Sequence, residues 1–477
     1  MFSPPRTLVA IVLILLSGTT CLAQIERYEL GKRLKRVELA WQNADAEHRA
    51  RAVKPMDQAV RSFFGLQLRT AAARLDDAYF LIRSDNSPSD LERLAVAQRI
   101  SFQPLLADQT ENQIRIQLSN FYDLKADSPT ADLKKCQLNL ELRRLDQSLV
   151  ESTSVETSKA GEDILWMPNA VLGGDFIMKA SLSNGAEKFA LLKTQISRVD
   201  NLSSRLTSLK QSLETPVANL NATGLASLRD WLDLMRKLQK GEVLESDYPA
   251  ARLLDLAEKV VAAPAKSNEL FHDASKAADL WLTLSRDKQE LPVRIRAPAK
   301  VAEKLPVLIL FHGAGGSENM FFETYGAGRA VSLGIDRGWL VVAPRQGLLG
   351  IGMNCEPMLD SLEEIYPIDR KRVAILGHSM GAGQVIRQAS TKPELFRAAV
   401  ALGGGSAMAK PDRVKSINWY VGAGEFDFGR RGAESLARSL NQGGIAVEMK
   451  QQGQVEHLII VQAALEDVFE FLDKSMK

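Results

Sequence analysis

The sequence predicts a multidomain chain ending in an α/β unit, a mostly parallel sheet with helices on both faces, preceded by helical segments and a small antiparallel β-sandwich-like domain. Three observations predict it. Across 278–477, short apolar runs without strict alternation recur between segments of helical spacing, the pattern of parallel strands buried on both faces. Across 100–198 the apolar period drops to two. On either side of that zone, in 24–99 and 199–277, apolar residues return at three-and-four spacing.

Residues 1–23 read as a signal peptide. Arg6 and the α-amino group precede an apolar run from Leu8 to Leu16, and Cys21-Leu22-Ala23 puts small residues where a signal peptidase cuts, before Gln24. The run is too short to span about 30 Å of hydrocarbon comfortably. The expectation is an exported protein, periplasmic, cell-surface or secreted, with no stable membrane insertion after cleavage.

In 24–99, Leu30, Leu34, Val37 and Trp41 share one helical face, and Met56, Val60, Phe63 and Phe64 another, until the polar stretch 84–89 breaks the pattern. In 100–198, Ile114, Ile116 and Leu118 alternate with Arg115 and Gln117, and Cys136, Leu138, Leu140 and Leu142 with Gln137, Asn139 and Glu141. The segment 176–182 runs into Asn184-Gly185 and out over 188–195, a hairpin with a tight turn. In 199–277, Leu202, Leu206, Leu209 and Leu213 form one stripe and Leu225, Leu228, Leu232 and Met235 a second, both core faces. The last zone offers strands at 280–284, 292–295, 307–311, 340–343, 373–376, 399–402, 419–421 and 447–450, the first two suited to an antiparallel edge. Helices are expected at 355–365, 380–390, 431–441 and 458–472.

Sixty Lys and Arg against 58 Asp and Glu, without a long run of one sign, give no electrostatic reason to expect nucleic acid as a partner. After cleavage only Cys136 and Cys355 remain, far apart, so two unpaired thiols are expected. With five His and so few Cys there is no material for a structural metal site, and no metal or other cofactor is expected.

The most informative stretch is Val373–Leu376 followed by Gly377-His378-Ser379-Met380-Gly381. A serine used as a nucleophile must project its hydroxyl from a sharp strand-to-helix turn, where the backbone tolerates little beyond glycine at the flanking positions. The following helix N-terminus aims N–H groups at a developing oxyanion. One donor is expected from the amide of Met380. The second falls in the glycine-rich loop His312-Gly313-Ala314-Gly315-Gly316 after an apolar strand, with the amide of Ala314 favoured. Such a loop also serves simply as a tight strand exit.

Of the five histidines, His48 and His272 lie in the helical zones, His378 is the middle of the elbow, and His312 suits a structural hydrogen-bonding role. His457 alone follows the serine and sits in a loop, 453–457, before the final helix, which makes it the expected general base. The acid that orients it should lie between them. The segment Gly422-Ala423-Gly424-Glu425-Phe426-Asp427 carries two carboxylates that fit this order, with Asp427 preferred over Glu425.

These stretches, His312–Gly315, Gly377–Gly381, Gly424–Asp427 and His457, resemble the α/β-hydrolases. Within that superfamily they are most similar to the compact esterase branch of poly(3-hydroxybutyrate) depolymerase-like, feruloyl and acetyl xylan esterase-like and phospholipase/carboxylesterase proteins. The resemblance covers 278–477. It implies a Ser379–Asp427–His457 triad, an acyl-enzyme mechanism and a small-molecule or polymer-borne ester as substrate. No long insertion in 278–477 would form a lid, which argues against an interfacial lipase. Two other readings stay open: a serine peptidase of prolyl-oligopeptidase type, and a non-catalytic cell-surface binding protein.

Overall fold

The computed structural model describes residues 21–477 except 125–131, 158–162, 170–171, 215–219, 243–244, 263–270, 272–278, 301–302 and 348–353. The expected signal segment therefore lies outside the described residues up to Thr20, and 21–23 open the first helix. No helix among the described residues is long and apolar enough to cross a membrane.

Four helices begin the fold: α1 (Cys21–Asn43), α2 (Ala46–Phe64), α3 (Leu68–Arg83) and α4 (Asp90–Ala97). Asp45 caps α2 by accepting from the N–H of His48 at 2.9 Å, and Ser89 caps α4 by accepting from Glu92. Leu30, Leu34 and Val37 of α1 are buried together with Met56 and Val60 of α2 and Ala72 and Leu75 of α3. The fully buried Arg33 ties these helices together, bonding Glu29 at 2.6 Å, Asp76 at 3.2 Å and the carbonyl of Val96 at 2.9 Å. Leaving such a charge without its partners costs about 3–5 kcal/mol.

Nine strands follow: β1 (Gln98–Gln103), β2 (Leu106–Asp108), β3 (Ile114–Asn120), β4 (Gln137–Arg144), β5 (Leu149–Glu156), β6 (Ile164–Trp166), β7 (Gly174–Ser183), β8 (Lys188–Ala190) and β9 (Thr194–Val199). They form a three-stranded sheet, β1-β3-β6, and a second sheet ordered β2-β9-β7-β4-β5 with β8 also on β7. Ile100, Ile116 and Leu118 of the first sheet share a core with Leu138, Leu140, Met178 and Leu182 of the second. One pairing departs from the antiparallel expectation: β2 runs parallel to β9. Pro104 has no N–H for the ladder and ends β1. The chain then crosses to the other sheet, and a crossing does not reverse strand direction as a hairpin does.

Helices α5 (Leu202–Glu214), α6 (Ala222–Gln239) and α7 (Ala250–Ala262) lead into the last unit. There, β10 (Asp279–Arg286), β11 (Gln289–Arg296), β12 (Leu305–Phe311), β13 (Leu340–Pro344), β14 (Ile368–His378), β15 (Ala398–Leu402), β16 (Asn418–Gly424) and β17 (Val447–Gln452) make one sheet. Its order is β10-β11-β13-β12-β14-β15-β16-β17, and only β11 runs antiparallel to its neighbours. Helices α8 (Met320–Glu323), α9 (Arg329–Asp336), α10 (Cys355–Glu363), α11 (Met380–Thr391), α12 (Arg430–Gln442) and α13 (Ile460–Ser475) are threaded between the strands.

The period-two alternation of a strand sorts the two faces. Val307, Ile309 and Phe311 pack with α10, α11 and α12, and Leu308 and Leu310 with α9 and α13. The second face also takes in α1, α2 and α3, since Leu30, Leu34 and Met56 share its core. On the first, Trp231 of α6 donates its indole N–H to the carbonyl of Trp281 in β10 at 2.7 Å. The compositional zones therefore mark changes of element type, and the cores run across their boundaries. Cys136 and Cys355 are both buried and free.

Candidate active site

Strand β14 delivers Ser379 into a turn that only a particular sequence survives. Ser379 has φ 57° and ψ −116°, a conformation that costs an L-residue about 1–3 kcal/mol. Its N–H donates to the carbonyl of Leu402 on the neighbouring strand at 2.9 Å, which helps hold the turn. A Cβ at Gly377 would lie 2.1 Å from the carbonyl oxygen of Gly381, and one at Gly381 would lie 2.0 Å from that of Phe311. Helix α11 begins at Met380, whose N–H is among those without an intrahelical acceptor.

The Ser379 hydroxyl lies 2.9 Å from Nε2 of His457, and Nδ1 of His457 lies 2.7 Å from Oδ1 of Asp427. His457 comes from the turn between β17 and α13 and Asp427 from the loop after β16, both nearly fully buried. Oδ1 of Asp427 also accepts from the N–H of Gly429 at 2.6 Å. Burial pushes the Asp427 carboxyl up, but the His457 hydrogen bond and charge and the Gly429 amide outweigh it, so its pKa sits below the ordinary value. Glu425, the other carboxylate of that loop, lies apart, accepting from the N–H of Gln454 at 3.0 Å.

The expected oxyanion loop follows β12. Gly313 to Gly316 closes as a turn with a 3.2 Å backbone bond, and Ala314, Gly315 and Ser379 line one cavity. His312 is buried behind it. Nε2 accepts from the N–H of Gln346 at 3.0 Å, so Nδ1 carries the proton and donates to the carbonyl of Gly313 at 2.8 Å. Burial lowers its pKa and keeps it neutral.

Several residues of the site carried no sequence signal. His378 donates from Nε2 to the carbonyl of His457 at 2.9 Å, bracing the loop that holds the imidazole, and burial drives its pKa down to about 3. Glu456 accepts from the N–H groups of Leu458 and Ile459 at 2.8 and 2.9 Å and bridges the entry to α13; burial raises its pKa to about 8. Phe428 covers His457 with ring centroids 3.9 Å apart, and Phe64, the last residue of α2, packs edge-on against Phe428. Helix α1 is fastened nearby: the buried Glu38 accepts from the N–H groups of Gly326 and Ala327 at 3.0 and 2.7 Å, a pair of left-handed residues whose amides converge on it. His272 lies outside the described residues, as do 348–353. Among the described residues no group of His, Cys, Asp and Glu is arranged to hold a metal ion.

The sequence offers no insertion in 278–477 long enough to form a lid over the site. Helices α1, α2 and α3 reach the site and line the same cavity as Ser379. Part of the lining thus comes from the N-terminal part of the chain.

The strand–elbow–helix unit in a mostly parallel eight-stranded sheet defines an α/β-hydrolase fold. No family model matches the sequence, nor does any curated protein. Among solved structures, the chain is similar to a ferulic acid esterase, at 17% identity and TM-score 0.36 over 42% of this chain and 99% of the other. It is also similar to an S-formylglutathione hydrolase from Staphylococcus aureus, at 15% identity and TM-score 0.36 over 41% and 96%. A third is the feruloyl esterase module from Clostridium thermocellum, in an S954A mutant complexed with sinapinate, at 13% identity and TM-score 0.36 over 45% and 93%.

Proposed function

We propose that the chain is an exported serine hydrolase that cleaves carboxylic esters through an acyl-enzyme, with Ser379 as nucleophile, His457 as general base and Asp427 as orienting acid. The observation that supports this reading is the unbroken pair of hydrogen bonds, 2.9 and 2.7 Å, from hydroxyl to imidazole to carboxylate. His457 takes the hydroxyl proton as Ser379 Oγ bonds to the ester carbonyl carbon. The oxyanion is held by the amides of Met380 and Ala314. It collapses with loss of the alcohol, which takes its proton from His457. Water activated by the same imidazole then cleaves the acyl-enzyme, releasing the acid and restoring Ser379.

The test is hydrolysis of 4-nitrophenyl acetate alongside labelling with a small fluorophosphonate. Wild type should hydrolyse and be labelled at Ser379. Ser379→Ala should lose both, turnover falling about a million-fold as when comparable serines are removed. Equal hydrolysis by the two proteins sinks the proposal, as does activity confined to aminoacyl amides. Export rests on the apolar run Leu8–Leu16 and the small residues before Gln24. Amino-terminal sequencing of the exported protein should begin at Gln24; retention inside the cell with residues 1–23 attached refutes it.

A further inference from the structure

We infer that α1, α2 and α3 form the acyl-binding wall of the site, and that the substrates are esters of medium-length aliphatic acids; this rests on the ester-hydrolase reading above. The cavity at Ser379 opens to solvent and has a volume of about 120 Å³. Helices α1, α2 and α3 contribute Leu30, Leu34, Val60, Phe63, Ala71 and Leu75 to a lining they share with Ser379 and His457. The polar side chain these helices add is Arg27, which pairs with Glu245 at 3.6 Å. The cavity follows α1 from Arg27 to Leu34, roughly 10 Å at the rise of an α-helix. A wall of this chemistry gains from burying methylenes and offers little to a sugar or a charged group.

The wall is anchored. Glu38 holds α1 to the turn at Gly326 and Ala327, and Lys35 pairs with Glu323 at 2.9 Å. Phe63 rests on the oxyanion loop: a Cβ at Gly315 would lie 3.0 Å from its ring. The direction of the cavity assigns its occupant. His457 protonates the leaving alcohol, so the alcohol lies on the imidazole side. There His457 and Leu458 line the cavity together with Phe64, which packs on the 59% exposed Phe428 beside the imidazole. The cavity also runs along the oxyanion loop, Ala314 to Ser317, and past Met320, Glu323, Thr324 and Tyr325, and we place the acyl group along this stretch.

The test uses the full mature chain and 4-nitrophenyl esters from acetate through butyrate and hexanoate to octanoate. At about 0.8 kcal/mol per buried methylene, kcat/KM should rise about three- to fourfold for each CH2 until the cavity is full. Gly31 lines the cavity from α1, and a Cβ there meets the hydroxyl of Thr324 at 3.6 Å, an ordinary contact. Gly31→Leu should lower the octanoate-to-acetate ratio at least tenfold, and Val60→Ala should move the optimum to a longer acid. Opposite shifts from two helices are not produced by a general loss of folding. Acetate hydrolysis with a flat acyl profile, or a ratio unchanged in Gly31→Leu, overturns this inference and leaves the ester-hydrolase reading standing. A steeper response to alkyl acetates of rising alcohol length also overturns it. No hydrolysis of any ester and no labelling of Ser379 overturns both.

Discussion

Asp427→Asn isolates the charge of the acid from its geometry, because the surrounding donors dictate how the new amide must face. Nδ1 of His457 and the N–H of Gly429 both converge on Oδ1, while Oδ2 has no hydrogen-bond partner among the described residues. Asparagine therefore keeps its carbonyl at the Oδ1 position and its NH2 where Oδ2 stood, since the reverse would set a donor against two donors. The proton stays on Nδ1, and Nε2 stays free to accept from Ser379. What disappears is the negative charge beside the imidazolium that the proposed mechanism forms during attack. Opposite charges about 4 Å apart interact by roughly 4 kcal/mol at an effective dielectric of 20. At about 1.4 kcal/mol per decade, that is on the order of a thousand-fold in kcat/KM. This is smaller than the ten-thousand-fold or so that follows when an asparagine imposes the wrong tautomer. The assay is kcat/KM for 4-nitrophenyl acetate, measured beside Glu425→Gln, whose parent carboxylate is bonded to Gln454 and should be nearly silent. A loss below tenfold in Asp427→Asn, or an equal loss in Glu425→Gln, refutes the reasoning.

Two further predictions separate local sterics and buried charge from the chemistry. Gly381→Ala puts a methyl 2.0 Å from the backbone oxygen of Phe311, whereas a Cβ at Gly383 meets nothing within 4 Å. The first should cost more than about 4 kcal/mol, lowering Tm by roughly 10 °C or abolishing soluble expression. The second should stabilise by up to about 1 kcal/mol through helix propensity; calorimetry giving similar Tm values for the two contradicts this. Glu456 has its folded pKa raised from 4.5 to about 8, so its contribution to stability is fully present below pH 4.5 and is lost as pH climbs to about 8. The slope approaches 1.4 kcal/mol per pH unit in that window. Urea denaturation should show Glu456→Gln gaining on wild type between pH 5 and pH 8, and parallel pH curves would count against a buried neutral carboxyl.

The elbow was legible in the sequence because its shape leaves no freedom: a side chain at 377 or 381 collides with backbone, so the glycines record a steric fact. The strands expected at 307–311 and 340–343 were legible because both faces of β12 and β13 are buried. His457 was reached by elimination among five histidines, a route open only because they are so few. Glu456 and Phe428 were not legible, since a loop carboxylate and a loop aromatic look the same whether they face water or an imidazole.

The N-terminal helices show the deeper limit. Leu30, Leu34 and Val37 announce a buried face, yet a helical period says only that a face is covered and carries no address for what covers it. Here the partner lies far along the chain, as with Glu38 and Ala327, 289 positions apart. One local irregularity, passed over when the apolar stripe is read, lies at this face. Gly31 sits within that apolar stripe, where glycine costs a helix up to about 1 kcal/mol relative to alanine. A helix that merely filled a core would do better with a side chain at that position. A helix that serves as the wall of a cavity needs a gap on that side, and Gly31 lines the space in front of Ser379.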